Sequence, residues 1–151
     1  MSIAIGCDEA GFQFKEAIKI FLTGRGIEVE DFGVYNTDPV LYPDIAVAVA
    51  RSIVEEKHER GILICGTGIG MAVAANKVPG IRAAVCHDPF STERSRKSNN
   101  AQIMTMGARV IGIELGKFLV NLWLACEFEG GGSAAKVDKI SEYENEFKGC
   151  K

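Results

Sequence analysis

Short apolar runs of strand length alternate along the chain with longer segments whose apolar residues recur every three or four positions. These are the periods of buried strands and of helices lying on a sheet. Residues 2–7 read as a first strand, and 11–25 as a helix with Phe14, Ile18, Phe21 and Leu22 on one side and Gly24 and Gly26 at its end. Residues 27–32 form a second strand, which Glu28, Glu30 and Asp31 mark as an edge. A loop over 33–42 leads to Pro43, suited to the first turn of a helix that runs through Ala46, Val49, Ala50, Ile53 and Val54. A third strand over 61–65, a glycine-rich turn and a small-residue helix to about residue 76 follow, then strands over 82–86 and 103–106. A polar helix over 91–98 separates those two strands, and an apolar helix over about 113–128 comes after them. Gly130-Gly131-Gly132-Ser133 is a flexible break. The last helix, 135–147, carries a stripe of Val137, Ile140, Tyr143 and Phe147 that either folds back or docks on a partner subunit. The alternation predicts a single α/β domain over 1–151: a doubly wound, five-stranded parallel sheet with right-handed crossovers, and 129–151 as a C-terminal extension.

The most informative stretch is the third strand and its turn, Ile64-Cys65-Gly66-Thr67-Gly68-Ile69-Gly70. Cys65 ends the strand, and three glycines leave backbone N–H groups free to face an anion where a helix begins. A cysteine ending a buried strand can equally be a small core residue. The glycine spacing is not that of a dinucleotide fingerprint, and no Lys-Ser/Thr pair completes a nucleotide phosphate loop. Asp8 and Glu9 put two carboxylates at the same sheet edge, where they bind hydroxyls or, for Asp8, cap the following helix. Tyr42, fixed ahead of Pro43, lies against a ligand or packs.

Composition narrows the partners. A hydrophobic fraction of 47%, a charged fraction of 25% and a net charge of −3 describe an ordinary globular domain. With no basic stretch, nucleic acid is not an expected partner, and an anionic small molecule must be met by local positive charge. The N-terminus has no charged leader and no run reaches membrane-spanning length, so a cytoplasmic chain with no membrane partner is expected. Five cysteines, Cys7, Cys65, Cys86, Cys126 and Cys150, have neither disulfide nor zinc spacing and are expected to be reduced. Of the three near strand ends, two are expected to be packing residues. The two histidines, His58 and His87, fall in no metal pattern, and neither metal nor other cofactor is expected.

Taken together, G-C-D at 6–8, Y-P at 42–43, I-C-G-T-G-I-G at 64–70, A-A-N-K-V-P-G-I-R-A at 74–83 and G-A-R-V-I-G at 107–112 resemble the ribose-5-phosphate isomerase B and galactose-6-phosphate isomerase family. The resemblance covers nearly the whole chain. It implies a Rossmann-like subunit, a homodimer or dimer of dimers with shared active sites, and a phosphorylated sugar as substrate. Cys65 matches the base that moves a proton between C1 and C2 of the open-chain sugar. Gly66, Thr67, Gly68, Ile69 and Gly70 match an anion hole for the enediolate. Arg109 matches a phosphate contact, expected from the neighbouring subunit, and Asn99 and Asp8 match hydroxyl contacts. The chemistry suits these residue types. Proton removal beside a carbonyl puts negative charge on its oxygen, where aimed donors give the largest share of catalysis. A free thiol is mostly protonated near neutral pH, so N–H groups must also favour its thiolate. A neighbouring subunit would keep water from the enediolate.

The chain also departs from the family pattern. Glu9 stands where the family has a histidine, and Ser98 stands where it has the histidine that assists ring opening. Gly131-Gly132-Ser133 and Lys136 replace a G-G-R-H segment and a further basic residue, which leaves Lys136 as the nearby substitute for a phosphate-binding arginine. Ribose 5-phosphate is the default substrate, with His87, Ser98 or a water opening the ring. A four-carbon sugar phosphorylated on O4, such as erythrulose 4-phosphate, cannot close a furanose and would need no such group. Allose and galactose 6-phosphates are further alternatives. From a different class comes a non-catalytic sugar-phosphate sensor, or one half of a two-subunit enzyme.

Overall fold

Strand alternation sorts the core into two layers. In the computed structural model, which describes residues 1–148, the third strand β3 (Arg60–Cys65) is buried along its whole length. Its Ile62 and Ile64 point to one side with Ile3, Ile5, Met104 and Met106, while Leu63 and Cys65 point to the other with Ala4 and Ile103. The first face is covered by α1 (Phe12–Thr23) and α5 (Ile113–Ala125) through Phe14, Ile18, Leu22, Leu119 and Trp123. The second is covered by α2 (Tyr42–Val54) and α3 (Ile69–Ala75) through Ala46, Val49, Ala50, Met71 and Ala75. Each buried Val, Leu, Ile, Phe or Met among them contributes about 1.5–3 kcal/mol by leaving water, and each alanine less.

β1 (Ser2–Cys7), β2 (Glu28–Asp31), β4 (Ala83–Val85) and β5 (Ile103–Gly107) complete an all-parallel sheet of order β2-β1-β3-β5-β4. β2 is an edge, as its charges predict. The chain leaves β1 to one side for β2 and then crosses to the other for β3, so a crevice opens between β1 and β3 at their C-terminal ends. Asp8 and Cys65 stand at that opening.

α1 ends two residues before its predicted end, and two further helices differ from their predicted spans for reasons the structure shows. α5 stops at Ala125 because the buried Arg60 of β3 donates to the Trp123, Leu124 and Cys126 carbonyls, and Cys126 turns extended. α4 (Pro89–Lys97) begins earlier than expected because Asp88 caps it, accepting from Ser91 N at 2.7 Å, with Pro89 in the first turn. The final helix, α6 (Ala134–Lys148), folds back in part: Val137 is buried and the Glu144 carboxylate accepts from Gly80 N at 2.9 and 3.0 Å. Its Ile140, Tyr143 and Phe147 remain at least half exposed. Among the described residues, no helix is long and apolar enough to cross a membrane. Cys7, Cys65, Cys86 and Cys126 are free and buried, and Cys150 lies outside the described residues.

Lys15, wholly buried on α1, donates to both Asp31 oxygens and to Val34 O, each at 2.7 Å. That triple contact ties the end of β2 and the start of the loop leading to Tyr42 to the body of the domain.

Candidate active site

Cys65 closes β3, and the three residues after it turn sharply into α3. The turn is tight because Gly68 lies at φ +77°, and a Cβ there would come within 2.9 Å of the Met106 backbone. In this conformation Gly68 N donates to Cys65 Sγ at 3.1 Å. Thr67 is exposed, its Oγ1 accepting from Ile69 N at 3.3 Å. The Tyr42 hydroxyl packs on Gly70, so this tyrosine lies against the turn rather than in the core.

The exit of β5 runs alongside this turn. Ala108 N donates to Cys65 O at 2.8 Å and Arg109 N to Gly66 O at 3.0 Å. The Arg109 side chain lies over Gly66, 3.5 Å from where a Cβ would stand. The Arg109 side chain therefore flanks the Cys65 turn of its own chain. β3 and β5 are paired in register, Cys65 opposite Gly107, which delivers both residues to one spot.

Asp8 lies beside this group. Its Oδ1 accepts from Gly11 N at 3.0 Å, so it does cap, and Arg109 acts on its charge. Burial holds the Asp8 carboxyl above its ordinary value, with the Gly11 N–H and Arg109 opposing and Glu9 adding to the rise. Glu9 turns aside to accept from Val40 N at 3.4 Å, the long end of a hydrogen bond. The other strand-end thiols are packing residues. Burial pushes Cys7 up to about 12 and raises Cys86 as well.

Ser98, Asn99 and Lys136 are not part of this cluster. β4 and β5 are parallel neighbours, so α4 must carry the chain from the C-terminal edge of the sheet back to the N-terminal edge. Ser98 and Asn99 follow α4 there, beside Arg82 at the start of β4. Asn99 lines a cavity of about 650 Å³ with Asn76, Arg82, Arg94, Ile140 and Glu144. Arg94 reaches Ser98 Oγ at 3.4 Å. Lys136 is exposed in the first turn of α6.

His87 is a neighbour of the site that the motifs do not single out. Its Nε2 accepts from Gly107 N at 2.8 Å. The signal for it lay in the short fourth strand: β4 ends before β5 does, and the last β5 amide needs an acceptor from elsewhere.

The arrangement offers a sulfur with an N–H aimed at it, a glycine turn, a guanidinium and a half-buried carboxyl at one sheet edge. Comparison with known proteins agrees with the motifs. Residues 3–140 match the family described as Ribose/Galactose Isomerase. A protein of Pectobacterium atrosepticum named D-erythrulose-4-phosphate isomerase is 54% identical over 98% of each chain. One of Listeria innocua named Ribose-5-P isomerase B is also 54% identical, over 94% of this chain and 96% of its own. The structure of Clostridium thermocellum ribose-5-phosphate isomerase B superposes with a TM-score of 0.96 at 46% identity, covering 97% of this chain and 99% of that one. Sequence, sheet order and match over the whole domain lead to one assignment: the chain belongs to the ribose/galactose isomerase family.

Proposed function

We propose that the protein is an aldose–ketose isomerase of a phosphorylated sugar, with Cys65 as the base and no cofactor. The observation that carries this is the Gly68 N–H directed at Cys65 Sγ, on a turn that Arg109 flanks. The thiolate removes the C2 proton of an open-chain aldose, the C–H electrons form the enediolate double bond, and charge collects on the former carbonyl oxygen. N–H groups of the Gly66 to Gly70 turn and the Thr67 hydroxyl serve as donors to that oxygen, held in place before the reaction begins. The proton then returns from sulfur to C1 while the C2 hydroxyl gives its proton to the C1 oxygen, so that the carbonyl forms at C2 and the thiolate is regenerated. Arg109 holds the phosphate through a charged, forked contact, and Asp8 takes sugar hydroxyls.

Asn99 and Ser98 lie at the opposite edge, which fits a homodimer in which each chain lends them, with Lys136, to its partner's Cys65. The exposed Ile140, Tyr143 and Phe147 of α6 are apolar surface for such a pairing.

Within this class, a linear four-carbon sugar phosphate suits the chain best. Ser98 provides no imidazole for ring opening, and the Pectobacterium relative bears the name of an erythrulose 4-phosphate enzyme. Ribose 5-phosphate is the second reading, favoured by the equally similar Listeria relative. Turnover of both compounds, measured side by side with the 6-phosphates of allose and galactose, tests the choice. Solvent deuterium incorporation at C1 or C2 tests the isomerase itself, since a sensor would bind the sugar without exchange.

A further inference from the structure

The bond from Gly107 N to His87 Nε2 closes a chain of contacts around the reactive turn. β4 ends at Val85, and the last main-chain contact it makes beyond that point is Cys86 N to Thr105 O at 2.9 Å. Two residues later on β5, Gly107 N turns to an imidazole instead. Gly107 is no bystander. A Cβ on it would strike Thr67 Cα and C at 2.8 Å, and the two residues after it are bonded to Cys65 O and Gly66 O. The β5 exit is thus held from one side by the Cys65 turn and from the other by His87.

We infer that His87 is a positioning residue of the isomerase site: its neutral imidazole fixes Gly107, and through it the placement of Thr67 and Arg109 against Cys65. The inference rests on the isomerase reading. Nε2 can accept this bond only if the ring proton sits on Nδ1, and an imidazolium has no lone pair to offer. Protonation therefore breaks the bond and leaves the Gly107 amide, in a buried residue, without its acceptor. Asp88, on the same connection, is the charged group acting on the ring. β5 presents the Gly107 amide, the β3 turn behind it contributes Thr67, and the ionisable side chains on those two adjoining segments are Cys65 and Arg109. Burial favours the neutral ring, with Asp88 opposing, so the bond is intact at neutral pH. It is lost only below the ordinary imidazole value of about 6.5.

The test compares the unaltered protein with His87→Gln and His87→Ala. Glutamine can return an acceptor oxygen to Gly107 but does not titrate, whereas alanine removes the acceptor. The readouts are kcat and KM against pH on one sugar phosphate, and hydrogen exchange of the Gly107 amide. His87→Ala should lower kcat/KM on the order of 10- to 100-fold at neutral pH, the scale of a misplaced site, and expose Gly107 to exchange. His87→Gln should recover most of both and lose an acid-side decline that the unaltered protein shows. The substrate phosphate titrates in the same range for all three proteins, so the difference between profiles isolates His87. An alanine variant within twofold of the unaltered protein, a glutamine variant with the same acid limb, or a Gly107 exchange rate indifferent to residue 87 would each overturn the inference. Failure of the isomerase reading looks different: the unaltered protein turns over no sugar phosphate, while the exchange measurement still reports on the bond.

Discussion

The Tyr42 hydroxyl occupies the space that a side chain on Gly70 would need, with an added Cβ falling 2.6 Å from it. Tyr42 is about one-third exposed, so its ring can swing out where a backbone could not. Gly70→Ala is therefore expected to fold with little loss of melting temperature while KM rises, because the ring that walls the turn has moved. A large drop in stability with unchanged KM would mean that Tyr42 serves only packing.

Gly68→Ala makes the opposite forecast. At φ +77° any Cβ is strained, and here it meets the Met106 backbone, which cannot rotate away. A cost of about 1–3 kcal/mol in denaturant unfolding is expected, together with loss of activity as the Gly68 N–H leaves Cys65.

Cys65→Ala should reduce isomerisation on the order of 10²- to 10⁴-fold, the usual worth of a positioned base. Its fold and its affinity for a sugar phosphate should be nearly unchanged, read by calorimetry. Retained turnover would remove the proposed base.

Arg109→Ala should act on the unreacting phosphate, raising KM roughly 10- to 100-fold from the loss of a charged contact. A fall in kcat alone would assign Arg109 to the reacting end of the sugar instead.

Ser98→His should improve turnover of ribose 5-phosphate and leave a linear four-carbon phosphate unaffected. Equal changes on both substrates would detach Ser98 from ring opening.

Lys15 and Asp31 supply a prediction about stability and pH. Burial raises the Asp31 carboxyl, but hydrogen bonds from Lys15 and Lys19 outweigh it and hold the group below its ordinary value of 3.8. A carboxylate lowered in the folded state adds stability that is present above the unfolded value and fades as pH falls through the folded one. Acid unfolding should therefore steepen below about pH 3.9, the reference for a free aspartate. Lys15→Met removes one of the two lysine partners of the half-buried Asp31 and the donor to Val34 O, while Lys19 and Gly33 N stay bonded to the carboxylate, and should cost about 1–3 kcal/mol, read by urea titration at neutral pH.

Much of this architecture was legible in the chain. Alternation along residues 61–65 places Leu63 and Cys65 on one face and Ile62 and Ile64 on the other, and the charges of residues 28–31 mark the edge strand. The motif around Cys65 placed it at the C-terminal edge of the sheet, where the strand ends. What local pattern could not carry was long-range. Arg60 ends α5 from 63 residues away by taking Trp123 O, and no periodicity near residue 125 announces it. That Arg109 flanks the Cys65 turn of its own chain follows from β5 lying next to β3, which is a matter of strand order. His87 was considered only as a ring opener, and its bond to Gly107 was not foreseen because the partner is a main-chain amide at the ragged end of a strand pair.

Helix α4 has nine residues, about 13 Å of length, and its ends face different sheet edges. His87 and Asp88 lead into it beside the chain's own thiol, while Ser98 and Asn99 leave it on the far side, where a twofold mate would receive them. In the homodimer proposed above, each α4 would run as a strut from the neighbourhood of one Cys65 toward the other. A tilt of that strut cannot disturb one centre and spare the other, so the two sites would be tuned, and damaged, together.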